Sequence, residues 1–213
     1  MRTLTKLYVV VSACMLSGCV SNGITVGLDE NTPNNAVIVT QKVFVGVPLL
    51  LGMEGSVVSL GNGWFITAAH NRAILELQLK DVIYHPECDV ALFREEGDSD
   101  NVQLSLVMQG ETTYTVGYPL SSPISSSKGI YVGDVVEPYS TCVYSATTSK
   151  VTSGMSGGGV WTQDGKLVGV IRGVLKEDVH WEDGRSVHNP SVFVSVNYIR
   201  DWIFNHTGIL LEE

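Results

Sequence analysis

Three polar side chains occur in this chain in an order and in surroundings that suit hydrolysis by an activated serine. His70 ends an apolar run, Asp89 precedes another, and Ser156 lies in a glycine-rich stretch. A serine hydroxyl attacks well only when a neighbouring base takes its proton, and histidine suits that task near neutral pH. A carboxylate behind the imidazole fixes its tautomer and stabilises the imidazolium. We therefore expect Ser156 as nucleophile, His70 as general base and Asp89 as the residue that orients it.

The glycines around Ser156 suit the second requirement of this chemistry, which is a pair of donors for the negative oxygen of the tetrahedral intermediate. Losing one such donor typically costs about 2.7–4 kcal/mol of transition-state stabilisation. We expect the backbone N–H groups of Gly154 and Ser156 to form this oxyanion hole, because a glycine can turn its N–H group toward the substrate. The chemistry requires no metal and no organic cofactor.

Short apolar and β-branched runs separated by turn residues predict that strands position these side chains. The run 64–69 leads into His70, and the run 90–93 follows Asp89. Further strands are expected over 36–40, 42–47, 55–60, 74–79, 112–118, 129–136, 141–148, 166–174 and 191–196. A helix capped by Asn197 is expected over 197–206. The acidic stretch 94–101 predicts a linker between two halves, and the serine-rich stretch 121–128 predicts a mobile loop.

The segments around the three residues resemble those of the trypsin-like serine peptidases of the chymotrypsin fold, especially their compact bacterial and viral members. Four segments carry the resemblance: 67–70, 89–92, 153–158 and 167–171. It covers roughly residues 36–204. It implies an all-β fold of two six-stranded antiparallel barrels, 36–100 and 101–213, with a short C-terminal helix and the active site between the barrels.

Three features depart from the larger members of that family. Only 19 positions separate His70 from Asp89, Gly159 stands where a proline is frequent, and the paired cysteines of the family are missing. These departures indicate a trimmed member of bacterial or phage type.

The resemblance also implies where the substrate pocket lies, before the serine and along the strand that follows it. The implicated residues are Lys150, Val151, Arg172, Gly173, Val174 and Ser191. Lys150 stands where enzymes that cleave after Lys or Arg have an acid, so we do not expect that specificity. Lys150 or Arg172 would favour an acidic side chain, unless both point to solvent.

The first 18 residues predict a bacterial lipoprotein signal peptide. A short basic start precedes an apolar core over 7–16, which is too short to span a bilayer. The stretch 16–19 resembles a lipobox, which implies that Cys19 is diacylated and becomes the new N-terminus. The alternative is an ordinary secretory signal with an incidental Cys19.

The expected mature chain is acidic and anchored to a membrane by lipid on Cys19. Its net charge changes from −9 to −11 when Arg2 and Lys6 are removed, and the absence of basic patches excludes a nucleic-acid partner. The Asn-, Gly- and Thr-rich stretch 19–35 predicts a tether. Val20 favours the outer membrane over the inner one, by resemblance to enterobacterial lipoproteins. The expected partners are a polypeptide substrate and the membrane.

Two other groups of side chains are expected to be structural. An oxidising compartment allows Cys88 and Cys142 to pair, but their places in different barrels favour two buried free thiols. The stretch 176–189 holds acids and histidines at spacings that match no zinc pattern, which indicates a solvated loop near the rim of the pocket.

We expect a lipid-anchored serine endopeptidase of the bacterial envelope that acts through an acyl-enzyme, with other interpretations open. Residues 154–158 also match the G-x-S-x-G pattern of α/β hydrolases, but a helix must follow that serine and the glycines of 157–159 oppose one. A catalytically silent lipoprotein would use the same fold as a binding module. An envelope esterase would use the same machinery on esters.

Overall fold

The structure, a computed structural model, describes residues 21–47, 51–78, 81–96, 101–137 and 140–211. Its strands are β1 (Thr40–Val47), β2 (Leu51–Gly61), β3 (Trp64–Thr67), β4 (Val82–Tyr84), β5 (Ala91–Arg94), β6 (Thr112–Gly117), β7 (Ser125–Val136), β8 (Val143–Thr147), β9 (Gly159–Trp161), β10 (Leu167–Val174), β11 (Asp178–His180), β12 (Ser186–His188) and β13 (Ser191–Ser195). Its helices are α1 (Asn34–Val39), α2 (Arg72–Gln78) and α3 (Arg200–Thr207).

The first half of the chain forms an antiparallel sheet with the strand order β1-β2-β3-β5-β4. Strands β3 and β5 are buried on both faces, with Ile66 and Leu92 on one side and the stacked rings of Phe65 and Phe93, 5.2 Å apart, on the other. Their register pairs the last residue of β3 with the first residue of β5. The chain segments that leave β3 and enter β5 therefore lie at the same end of the sheet.

The second half forms a closed barrel with the strand order β10-β13-β8-β7-β6-β9. Large buried side chains fill it, including Tyr114, Trp161 and Phe193. The long connection between β8 and β9 lies at the edge of this barrel that faces the first sheet. Helix α3 closes the fold, with Ile203 buried.

The chymotrypsin-like fold class is confirmed, although the described residues of the first unit form a five-stranded sheet where a closed six-stranded barrel was expected. The stretch 74–79 was expected to be a strand, but its described part lies in helix α2, which buries Ile74 and Leu75 and exposes Leu77. The stretch 36–40 was expected to be a strand, but most of it lies in α1, whose buried residues Ala36 and Val39 are three positions apart. Short apolar runs fit either element, and tertiary packing decides between them.

Two smaller expectations differ from the structure in part. The expected loop 121–128 contains the start of β7 at Ser125. The C-terminal helix is present, but Ile199 occupies its N-cap, so Asn197 does not cap it. Only the ends of the expected linker 94–101 are described.

The expectation of two free thiols is wrong, because Cys88 and Cys142 form a disulfide. Cys88 precedes β5 in the first unit, and Cys142 precedes β8 in the second. Both residues are buried in a cluster of apolar side chains that extends across both units. Because the two cysteines are 54 positions apart, no local pattern in the sequence indicates that they lie close together.

Residues 21–33, which we call the N-terminal strap, pack against the second barrel and do not form a free tether. Gly27 exchanges hydrogen bonds with the serines that begin β7, as donor to Ser125 Oγ at 3.2 Å and as acceptor from Ser126 N at 3.0 Å. Thr25 is buried. The predicted signal peptide, Cys19 and Val20 lie outside the described residues. Within the described ranges, no helix is both long and apolar enough to cross a bilayer.

Candidate active site

His70 and Asp89 meet where β3 ends and β5 begins. His70 lies in a 3₁₀ turn (Ala69–Asn71) directly after β3. The two Asp89 oxygens hold two different groups of His70: Oδ1 accepts from the backbone N–H group at 2.8 Å, and Oδ2 lies 2.6 Å from Nδ1 of the ring. This double contact fixes the ring orientation and leaves Nε2 as the nitrogen available for proton transfer.

The loop that carries Asp89 is itself held at several points. The His85 Nδ1 atom accepts hydrogen bonds from the N–H groups of Glu87 at 3.1 Å and of Cys88 at 3.0 Å. Burial lowers the pKa of His85, in keeping with this acceptor role of the neutral ring. The disulfide fixes Cys88, the residue before Asp89, to the second barrel.

The Asp89 carboxylate is partly buried, with 18% of its side chain exposed against 47% for His70. Burial acts to raise the pKa of Asp89, but the hydrogen bonds and charge of His70, together with the charge of Arg172, lower it by more. The net pKa lies below that of an ordinary aspartate. Asp89 is therefore a carboxylate throughout the neutral pH range.

Ser156 lies in the connection between β8 and β9, which the first sheet holds closely. The carbonyl of Ser156 accepts hydrogen bonds from Ser56 N at 2.9 Å and from Asn71 Nδ2 at 3.1 Å. A Cβ atom at Gly157 would lie 2.1 Å from the Ser56 carbonyl oxygen, so only glycine permits this approach. The Ser156 hydroxyl donates to the carbonyl of Arg172 at 3.1 Å.

The backbone before Ser156 forms a turn that suits an oxyanion hole. Met155 N donates to Thr152 O at 3.1 Å, and Gly154 has a φ of +92°, the pattern of a type II turn that favours glycine at its third position. The Ser153 carbonyl accepts from Leu120 N at 2.8 Å. The peptide bond between Ser153 and Gly154 is planar and trans, so the N–H group of Gly154 points away from the direction of the Ser153 carbonyl. Among the described residues, no acceptor contacts the N–H group of Gly154 or that of Ser156.

These residues line one cleft of about 560 Å³ between the two units. His70, Asp89, Gly154 and Ser156 contribute to its wall. Of the residues expected in the substrate pocket, Val151, Arg172, Gly173 and Val174 also line it. A Cβ atom at Gly173 would have open space around it, which leaves that side of the pocket accessible.

Lys150 and Ser191 do not line this cleft. The Lys150 side chain packs alongside Gly23, since a Cβ atom there would lie 3.0 Å from the Lys150 Cγ atom. Ser191 is buried and donates to the Ser149 carbonyl at 2.6 Å. Arg172 lies in the wall but its guanidinium is paired with Glu137, at 2.5 Å and 3.0 Å.

The N-terminal strap contacts the same loop from behind. Asn22 accepts a hydrogen bond from Val151 N at 3.0 Å and donates to Ser191 Oγ at 2.9 Å. The Thr25 hydroxyl lies 3.4 Å from the sulfur of Met155, the residue before the nucleophile candidate. The strap therefore supports the turn that carries Gly154.

The sequence did not single out Ser56 or Asn71, which join the two units at the site. Ser56 Oγ donates to Gly154 O at 2.9 Å and accepts from Tyr118 N at 2.8 Å. Asn71 follows His70 directly, and this adjacency was the only local signal for it. The stretch 176–189 is not simply a loop, because it contains the β11–β12 hairpin. No cluster of three metal-ligating side chains occurs in the part of the chain that the structure describes.

Comparison with known proteins agrees with this architecture. The family described as the trypsin-like peptidase domain matches residues 71–170, a stretch that includes Asp89 and Ser156 and begins one residue after His70. No curated protein sequence matches the chain.

Several solved protease structures are similar to it. The active form of the Rv3671c protease from M. tuberculosis has a TM-score of 0.62 at 15% identity, over 91% of this chain and 95% of its own. The apo MamO protease domain from Magnetospirillum magneticum gives 0.59 at 15%, over 79% and 97%. The HtrA-type protease AlgW with a tripeptide gives 0.58 at 16%, over 82% of this chain and 64% of AlgW. At these identities the likeness establishes the chymotrypsin-like fold.

Proposed function

We propose that this protein is a serine endopeptidase that hydrolyses peptide bonds through an acyl-enzyme. The observation that carries the proposal is the double hold of Asp89 on His70 beside Ser156, in one cleft with two N–H groups that lack acceptors among the described residues. The trypsin-like peptidase match over 71–170 and the protease neighbours support it.

In the proposed mechanism, the Ser156 hydroxyl turns from the Arg172 carbonyl toward His70 when substrate enters. His70 takes the hydroxyl proton as the oxygen attacks the scissile carbonyl, and Asp89 stabilises the resulting imidazolium. The N–H groups of Gly154 and Ser156 bind the negative oxygen of the tetrahedral intermediate. His70 then gives its proton to the leaving amine, and a water molecule hydrolyses the acyl-enzyme by the same route.

The pocket supports a specificity for small apolar side chains. Val151 and Val174 line it and Gly173 leaves space, whereas Arg172 is neutralised by Glu137 and Lys150 lies outside. Neither cation is available to recognise an acidic residue. Peptides with Ala or Val before the scissile bond should therefore be cleaved faster than matched peptides with Asp, Glu, Lys or Arg. A library digest with preferred cleavage at any charged residue would contradict this specificity.

We also propose that lipid on Cys19 anchors the enzyme in the bacterial envelope, at the outer membrane in preference to the inner one. The lipobox-like stretch 16–19 supports the anchor, and the packed strap would then hold the catalytic domain close to the membrane. A clickable palmitate analogue should label the wild type but not Cys19→Ser. Equal labelling of both proteins would refute the anchor.

The catalytic proposal is tested by labelling the full chain with a fluorophosphonate probe, in wild type, Ser156→Ala and His70→Ala. We expect labelling of the wild type only, and peptide cleavage that is lost with it. Folded wild-type protein that takes no label would instead favour the binding module. Labelled protein that cleaves esters but no peptide would favour the esterase.

A further inference from the structure

We propose that Arg172 is a positioning residue of the triad, which acts with Glu137 as a charge pair behind Asp89 and sets the pH range over which His70 works. This inference rests on the proposed catalytic function. It assigns Arg172 a part in orienting the reacting groups, where the sequence suggested a part in binding substrate.

The backbone at Arg172 is irregular in a way that directs its side chain. Arg172 lies on β10, and the pairing of β10 with β13 shifts register between Ile171 and Gly173. One residue is therefore extra in β10, which is the arrangement of a β-bulge. Bulges commonly re-aim a side chain beside an active site.

The guanidinium is held from two sides. Its NH1 and NH2 atoms donate to the two oxygens of Glu137, at 2.5 Å and 3.0 Å, and its carbon lies 4.6 Å from the centre of the Tyr144 ring. Only 28% of the Arg172 side chain and 24% of the Glu137 side chain are exposed. A two-pronged pair of this kind fixes the orientation of the planar guanidinium, which a lysine cannot reproduce.

This fixed cation faces the triad. Its Nε atom lies 4.0 Å from Asp89 Oδ2, the oxygen that contacts the His70 ring. That distance is too long for a hydrogen bond, so Arg172 acts on Asp89 through its charge. The Arg172 backbone carbonyl meanwhile accepts the hydrogen bond of the Ser156 hydroxyl. One residue thus contacts the nucleophile through its main chain and the orienting carboxylate through its side chain.

Two other ion pairs lie on elements near the cleft in the part of the chain that the structure describes. These pairs are Lys42 with Glu54 at 2.9 Å, and Arg72 with Glu76 at 2.5 Å beside the Tyr84 ring. The charges that lower the pKa of Asp89 are those of His70 and Arg172, whereas Glu87, two positions before Asp89, acts on His85. Among the described residues, the Arg172–Glu137 pair is therefore the ion pair that bears on Asp89. Its two charges nearly cancel, and removal of either one unbalances the charge that the imidazolium experiences.

The two single variants should shift the pH profile in opposite directions. Arg172→Gln leaves the negative charges of Asp89 and Glu137 without the arginine cation, which stabilises the imidazolium. The acid side of the pH profile of kcat/KM should therefore move to higher pH. Glu137→Gln leaves the positive charge of Arg172 without its carboxylate partner, so the acid side of the profile should move to lower pH. Each shift should be about half a pH unit, which is the size expected when one charge a few ångströms beyond Asp89 is removed from a partly solvated site. Arg200→Gln, which removes an exposed charge on α3, should leave the profile unchanged.

Shifts in the same direction, or profiles that match Arg200→Gln, would overturn the proposal, since a merely structural role predicts lower activity without opposite shifts. If Arg172→Gln does not fold, the test uses Arg172→Lys together with Glu137→Gln. The lysine keeps the positive charge but cannot make the bidentate contact with Glu137, so the acid side of its kcat/KM profile should stay near that of the wild type while kcat falls. Equal pH shifts in Arg172→Lys and Glu137→Gln would refute the inference.

A second readout separates this inference from the proposed function. The pH midpoint of the His70 ring signals, followed by NMR, should shift in the same opposite directions without any substrate. If the wild type fails to hydrolyse peptides but these shifts occur, the peptidase proposal fails and the positioning role stands. If peptides are cleaved through Ser156 and the midpoints do not move, the positioning role fails alone.

Discussion

Removal of the Cys88–Cys142 disulfide should destabilise the protein and impair the site together. The bond joins the segment before β5 to the segment before β8, and Asp89 is the next residue after Cys88. The unfolded chain is therefore cross-linked between its two halves. The same bond restrains the loop that orients His70.

The size of the effect follows from the length of chain that the bond closes. A separation of 54 positions corresponds to a loss of about 4 kcal/mol in the chain-entropy treatment of the unfolded state. Measured losses for native disulfides typically lie at about 2–5 kcal/mol. For a chain of this size, that loss lowers the melting temperature by roughly 10 °C.

Denaturant unfolding of the wild type and of the Cys88→Ala/Cys142→Ala double variant, each with and without reductant, measures this contribution. We expect the oxidised wild type to be more stable than the other three samples, and the double variant to be insensitive to reductant. A difference below about 1 kcal/mol between oxidised and reduced wild type would refute the reasoning. So would a double variant that still responds to reductant.

Three further predictions concern the site. Gly157→Ala should lower the free energy of unfolding by several kcal/mol more than Gly184→Ala. Both residues have a φ of +86°, but only a Cβ atom at Gly157 would collide with backbone atoms. Chemical denaturation of the two variants compares them directly. Asn22→Ala should reduce the rate of fluorophosphonate labelling because it frees the loop that carries Ser156, whereas Ile24→Ser, at a side chain 91% exposed, should not. Equal rates in the two variants would show that the strap does not support this loop. Because folding lowers the pKa of Asp89, its carboxylate stabilises the fold fully above about pH 4, and this contribution is lost as the pH falls through the lower native pKa. The difference in unfolding free energy between wild type and Asp89→Asn should therefore narrow in acid. A difference that widens below about pH 4 would contradict the direction of this pKa shift.

Much of the fold could be predicted because strands and turns leave local signals. The runs that form β3, β5 and β10 are mostly apolar, and single glycines or polar residues flank them. The same local signal misled over 74–79, where leucines at alternate positions suggested a strand. Helix α2 instead places Ile74 and Leu75 against the sheet, which only the packed surroundings could decide.

The sequence by itself determined the candidates for chemistry and the class of fold, because each lies in a local pattern. His70, Asp89 and Ser156 were recognisable by type and by the strands and glycines beside them. The β3–β5 register then explains why two of them meet.

Only the tertiary structure decided the partners of other residues. Arg172 pairs with Glu137 across 35 positions, Cys88 with Cys142 across 54, and Asn22 with Val151 across 129. From the sequence, Arg172 was expected to bind substrate, the cysteines to be free thiols and the strap to be a tether. These predictions were wrong or incomplete because local sequence patterns do not show which distant residues a side chain contacts. Ion pairs, disulfides and docked segments depend on how the chain closes on itself, and that closure is set by the whole core.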